Sequence, residues 1–182
     1  MREVLNPIAL RALAVARASM PQRPIYKSRT ADKFVIRASS ELLKAMTELG
    51  KIQGRSANSE IICAVLESLE GRRKANVTRK VYVAYLGEEM VERLMGDVAF
   101  FSEDHIRGEA KSVIRLPDGI RGAVAREVDR QRSEGGELRS MQLWVLDALV
   151  WWINTQRANY AMLGACVAMD AEESAESKGL FP

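Results

Sequence analysis

Asp32-Lys33-Phe34-Val35-Ile36-Arg37, followed further on by Gly54-Arg55-Ser56-Ala57-Asn58-Ser59-Glu60-Ile61, decides how this chain folds. The first segment alternates. In a strand successive side chains point to opposite faces, so Phe34 and Ile36 lie on one face and Lys33, Val35 and Arg37 on the other. One face is therefore core, and the other is basic and free. The second segment opens an apolar-periodic helix, with Ser56 placed as its N-cap.

A two-stranded ribbon is narrow enough to enter the major groove of DNA. There, Lys and Arg can donate to guanine O6 and N7, and an apolar side chain can meet a thymine methyl. Lys33, Val35 and Arg37 have the chemistry for base readout.

The words SRTADKFVIR at 28–37 and GRSANSEII at 54–62, at this strand-to-helix spacing, resemble the ribbon-helix-helix family. The likeness is to the Arc and Mnt repressors and to the bacterial alginate and motility regulator built on the same domain, and it covers about a quarter of the chain, residues 28–70. It implies a mainly α fold with short β ribbons (MetJ/Arc-like), in which two units pair their strands antiparallel and interlock four helices. It also implies that the ribbon enters the major groove while the start of the second helix grips phosphate. Here that grip would use the backbone N–H groups of Ala57 and Asn58, which the helix dipole favours. Ser56 and Arg55 belong to the same phosphate-contacting set.

Two departures from the family pattern stand out. Arc repressor buries an Arg–Glu–Arg triad; Arg55 and Glu60 match two members, but the third position is Ala64, so a different packing solution is expected. Ser39 stands where the family usually has proline after the strand, and Ser39 or Ser40 can cap the following helix.

A weaker copy follows. Lys111-Ser112-Val113-Ile114-Arg115-Leu116-Pro117-Asp118 repeats the ribbon, and Leu138-Arg139-Ser140-Met141-Gln142-Leu143 repeats the helix entry. The outward triplet Lys111, Val113, Arg115 equals Lys33, Val35, Arg37, and Arg139 and Ser140 take the places of Arg55 and Ser56. Ser112 replaces Phe34, and Leu143-Trp144 replaces Ser59-Glu60. The second copy holds six extra residues, which the polar stretch Arg130–Gly136 would carry as a surface loop. The expectation is a tandem ribbon-helix-helix chain; the alternative is an ordinary basic strand followed by two helices. Were both copies real, strand 111–115 could pair with strand 33–37 inside one molecule. Alternatively, each copy could pair with its counterpart in a homodimer. The sequence leaves that choice open, along with higher oligomers on DNA.

At 182 residues and 47% apolar the chain is globular. A net charge of +3 is a mild excess, but its distribution is uneven. Met1–Arg37 holds eight Lys or Arg against two acids, whereas after Ile153 only Arg157 and Lys178 face four acids. A salt-dependent attraction to phosphate is expected near the ribbon.

The remaining segments divide the chain as follows. Residues 1–30 read as a helix over Val4–Ser19 and an extended arm, in which Arg23, Lys27 and Arg29 would lie along phosphates or reach the minor groove, or else belong to a solvated linker. Arg11 and Arg17 interrupt any membrane-spanning reading. Residues 31–70 form the first unit. The linker 71–110 includes the run Arg72-Arg73-Lys74 and, at 80–95, a strand followed by a short helix. The second unit occupies 111–158, with Trp144, Trp151 and Trp152 as packing residues. A small-residue helix over Asn159–Met169 and a mobile acidic tail, Asp170–Glu176, make up the end of 159–182.

Cys63 and Cys166 are isolated, His105 is the single histidine, and no Walker loop, G-x-G-x-x-G or nucleophile elbow is present. Catalysis, metal sites and cofactors are not expected, and two thiols fit a reducing cytoplasm. The resemblance implies a partner in double-stranded DNA and a cytoplasmic transcriptional regulator, most simply a bacterial or phage repressor. An accessory protein of a conjugative relaxosome and an antitoxin-like interaction module are the alternatives.

Overall fold

A computed structural model describes residues 32–102, 106–137 and 140–179. The chain divides after Thr30, and every described residue lies in the second unit. The N-terminal helix and arm, Lys27 and Arg29, His105 and Arg139 lie outside the described residues. Along the chain come β1 (Asp32–Ala38), α1 (Ser40–Ile52), α2 (Ala57–Leu69), α3 (Arg73–Leu86), α4 (Glu88–Asp97), β2 (Ala110–Leu116), α5 (Ile120–Ser133) and α6 (Met141–Gly179).

β1 and β2 pair antiparallel within the one chain, in a register that sets Val35 opposite Val113. Both strands bury alternate residues in the same rhythm: Ile36 and Ala38 in β1, and Ile114 and Leu116 in β2, are sealed from solvent. The inner face of this ribbon rests on α1, α2, α5 and the first part of α6. There Leu42, Met46, Ile61, Val65, Val124, Val128, Val145 and Leu149 complete the larger of two apolar clusters.

Ser39 caps α1, its Oγ accepting from Leu42 N at 3.1 Å. Its own N–H donates to the Ile106 carbonyl at 3.0 Å, a bond that proline could not make. The turn from α1 to α2 closes tightly at Gly50, where a Cβ would stand 2.9 Å from the Arg55 carbonyl oxygen. Ser56 then caps α2 by accepting from Ser59 N at 3.2 Å, and Ser140 accepts from Leu143 N at the same distance.

Three expectations are corrected. Residues 80–86 are not a strand but the second half of α3. Their β-branched and aromatic content suggests an extended segment, yet Tyr82, Val83 and Leu86 recur at helical spacing. With Val91, Ala158 and Met162 they form a second apolar cluster between α3, α4 and the far half of α6. Tertiary packing overrides local β propensity here.

The extra residues of the second copy do not all loop out, since Arg130–Ser133 form the last turn of α5. Arg130 is clamped between Glu127 and Glu134, with contacts of 2.7 and 2.5 Å. The hydrogen bond from Arg130 holds the Glu127 carboxyl below its ordinary range.

Finally, α6 runs without a break through 158–159 and through the acidic stretch to Gly179. Alanines at 158, 161, 165, 168 and 171 favour helix, and the Tyr85 hydroxyl donates to Asp170 Oδ1.

Candidate nucleic-acid interface

The outward face of the ribbon carries Lys33, Val35 and Arg37 from β1 and Lys111, Val113 and Arg115 from β2, all exposed. The register brings the six together: Val35 and Val113 face each other at the centre, Lys33 lies opposite Arg115, and Arg37 opposite Lys111. A half-turn about the central valines exchanges Lys33 with Lys111 and Arg37 with Arg115. Val35 and Val113 are 48% and 57% exposed, so neither is used for the core. Among the described residues none of the four cations forms an ion pair. Like charges directly opposite on a ribbon destabilise it, so folding does not account for this arrangement.

The start of each long helix grips the opposite strand. Asn58 Oδ1 accepts the backbone N–H of Arg115 at 2.8 Å. Gln142, at the matching place in α6, accepts the N–H of Arg37 through Oε1 at 3.3 Å and donates through Nε2 to the Arg37 carbonyl. Each outer edge of the ribbon is thereby tied beside a helix N-terminus. The resemblance gives Asn58 only a backbone role and gives Gln142 none; their shared position, two residues beyond a capping serine, is the signal the sequence carries. The N–H groups of Ala57 and Asn58 face the N-terminal end of α2 and have no partner among the described residues.

Arg55 is placed differently from the other phosphate candidates. Its Nη1 lies 3.5 Å from Glu60 Oε2 and 2.8 Å from Cys63 Sγ, and its Nη2 donates to Gln53. Half-buried Cys63 thus receives a guanidinium donor. Glu60 is fully buried, and its Oε1 accepts from Trp152 Nε1 at 2.6 Å. The indole N–H supplies a donor from the other half of the chain where Arc repressor uses a second arginine. Of the other tryptophans, Trp144 is buried in the core. Trp151 lies beneath Arg72, whose Cζ is 4.6 Å from the ring centroid. Arg72, from the basic run, also pairs with Asp147 at 2.7 Å.

The family model of the Arc-like DNA binding domain matches residues 28–74, the segment that spans β1, α1 and α2. The chain carries an Arc-like DNA-binding domain. Within that Arc-like domain lie Lys33, Val35, Arg37 and the helix entry Arg55–Asn58. The chain is also similar to the transcription factor AmrZ of Pseudomonas ogarae, at 37% identity over 73 residues, 40% of this chain. The match spans 57% of that relative's length. No solved structure matches the chain significantly. No helix among the described residues is long and apolar enough to cross a membrane.

Proposed function

We propose that the protein is a sequence-specific double-stranded DNA-binding regulator of transcription, acting as a repressor, and that one chain supplies both strands of the ribbon that reads the major groove. The carrying observation is the set of four cations, without ion pairs among the described residues, around Val35 and Val113 on the exposed face of a ribbon inside a chain with an Arc-like domain. Lys33, Arg37, Lys111 and Arg115 donate to base edges, and the two valines meet thymine methyls. Backbone N–H groups at the starts of α2 and α6, with Ser56 and Ser140 as caps, hold phosphates on either side. Lys27, Arg29 and Arg139 add backbone contacts. The second segment, 111–158, is a ribbon-helix-helix half that replaces the partner subunit.

The test is selection from a random duplex library at near-physiological salt. A compact motif of local two-fold symmetry, lost in Arg37→Ala, is the expected result. Salt-sensitive binding with no recovered motif would overturn sequence-specific regulation. It would favour instead an architectural or relaxosome accessory role, which the pairing of both strands in one chain also suits.

A further inference from the structure

We infer that Arg107 forms a phosphodiester-binding site at one end of the ribbon, clamping the DNA strand beside the bases that Arg37 reads. The inference rests on the DNA-binding reading above and adds to it a residue and a site.

The segment 106–108 is fixed against the exit of β1. The Ile106 carbonyl accepts the N–H of Ser39 at 3.0 Å. At Gly108 a Cβ would stand 2.6 Å from both the Ala38 carbonyl oxygen and Ser39 Cα, contacts that no side chain tolerates. Arg107 is therefore held between a hydrogen-bonded residue and one pressed against backbone. A side chain launched from such a place starts from a defined position, which lowers the entropy lost when it engages a ligand.

Arg107 and Arg37 line one cavity of about 350 Å³ together with Gly108, Gln142, Leu143 and Leu146. Among the described residues that line it, two are arginines and none is acidic. Arg107 is exposed and has no ion pair among the described residues. A cavity lined by two arginines, with no acidic residue among its described lining, favours an anion. The planar fork of arginine suits the oxygens of a phosphodiester. Gln142 already holds the backbone of Arg37 here, so the cavity adjoins the end of the base-reading face.

The sequence supplies an independent pointer. Arg107 precedes the strand arginine Arg115 by the same eight residues that separate Arg29 from Arg37. Each ribbon strand is thus led by an arginine at a matched distance. The signal was readable, but Ile106-Arg107-Gly108-Glu109 shares little else with Ser28-Arg29-Thr30-Ala31.

The experiment compares the full-length protein with Arg107→Ala and Arg107→Lys by fluorescence anisotropy. Each is titrated with the selected duplex and with an unrelated duplex over a series of salt concentrations, after thermal melts establish equal folding. Arg107→Ala is expected to weaken both duplexes by the same factor and to reduce the slope of log affinity against log salt by about one. Arg107→Lys should restore most of that slope. Unchanged affinity and slope in Arg107→Ala, with the wild type bound, would overturn this site alone. A loss confined to the selected duplex would also overturn it, since Arg107 would then be reading bases. Absence of wild-type binding to either duplex would remove the DNA-binding reading and this inference with it.

Discussion

The Oδ1 of Asn58 accepts the backbone N–H of Arg115 at 2.8 Å, joining the first turn of α2 to the strand of the other half of the chain. Gln142 makes the reciprocal bond to Arg37. These ties fix the distance between the outward side chains of the ribbon and the helix N-termini. That distance must match the spacing between a groove floor and its flanking phosphates if both are to be contacted together.

Asn58→Ala removes one tie and leaves a strand-edge N–H to water. A net hydrogen bond is worth about 1 kcal/mol, so the urea midpoint should fall by that equivalent. DNA affinity should drop further than stability does, because the strand and helix lose their register. Equal affinity in a destabilised but folded variant would separate the tie from DNA binding.

Val35 and Val113 are register partners across the ribbon, and opposite residues in an antiparallel pair have Cα atoms about 4.5–5.5 Å apart, within reach of a disulfide. With Cys63 and Cys166 replaced by alanine, Val35→Cys combined with Val113→Cys should oxidise to a monomer-sized, internally linked chain at any protein concentration. Non-reducing mass analysis would show it. Covalently linked dimers as the main product would mean that strands pair between chains.

Trp152→Phe deletes the donor that answers Glu60 Oε1. Glu60 is fully buried and its Oε2 has no hydrogen-bond partner among the described residues, so the change leaves a buried carboxylate with Arg55 at 3.5 Å as its ion-pair neighbour there. Hydrogen bonds to charged groups contribute about 1.5–3 kcal/mol, and a loss of that size is expected in chemical denaturation. Adding Glu60→Met should recover much of it, since a packed apolar residue avoids the cost of burying the charge. No recovery in the double variant would show that the indole matters for shape rather than for its N–H.

Arg37→Ala and Arg115→Ala should each cost about 1–3 kcal/mol at a specific site. Because the half-turn about Val35 and Val113 exchanges these arginines, relaxed base preference should occur at two positions related by that symmetry. Footprints on a selected site with each position randomised would check it. Uniform weakening without altered preference would place both side chains on phosphate.

The strand β1 and the entry to α2 were legible because their signals are local. Period-two alternation marks Lys33–Arg37, and Ser56 marks a helix start. The same local signals placed β2 and the start of α6. The pairing of β1 with β2 was not legible, since a strand's sequence names a compatible edge without saying which chain supplies it. The Trp152–Glu60 bond joins residues 92 apart, and no spacing rule reaches that far. Residues 80–86 misled because Val81, Val83 and Tyr85 alternate like a strand, whereas the face that decides is the one α6 covers. The continuity of α6 is hidden in the sequence because its apolar and acidic portions read as separate elements. Its change of composition follows a change of neighbours, from the ribbon core to α3 and α4.

The most direct test of a complete DNA-reading ribbon in one chain is the stoichiometry of its complex with a short duplex bearing one selected motif, measured by native mass spectrometry. One chain per duplex, with occupancy rising in first order with protein, is the predicted result. A complex that forms only with two chains, and second-order occupancy, would contradict it.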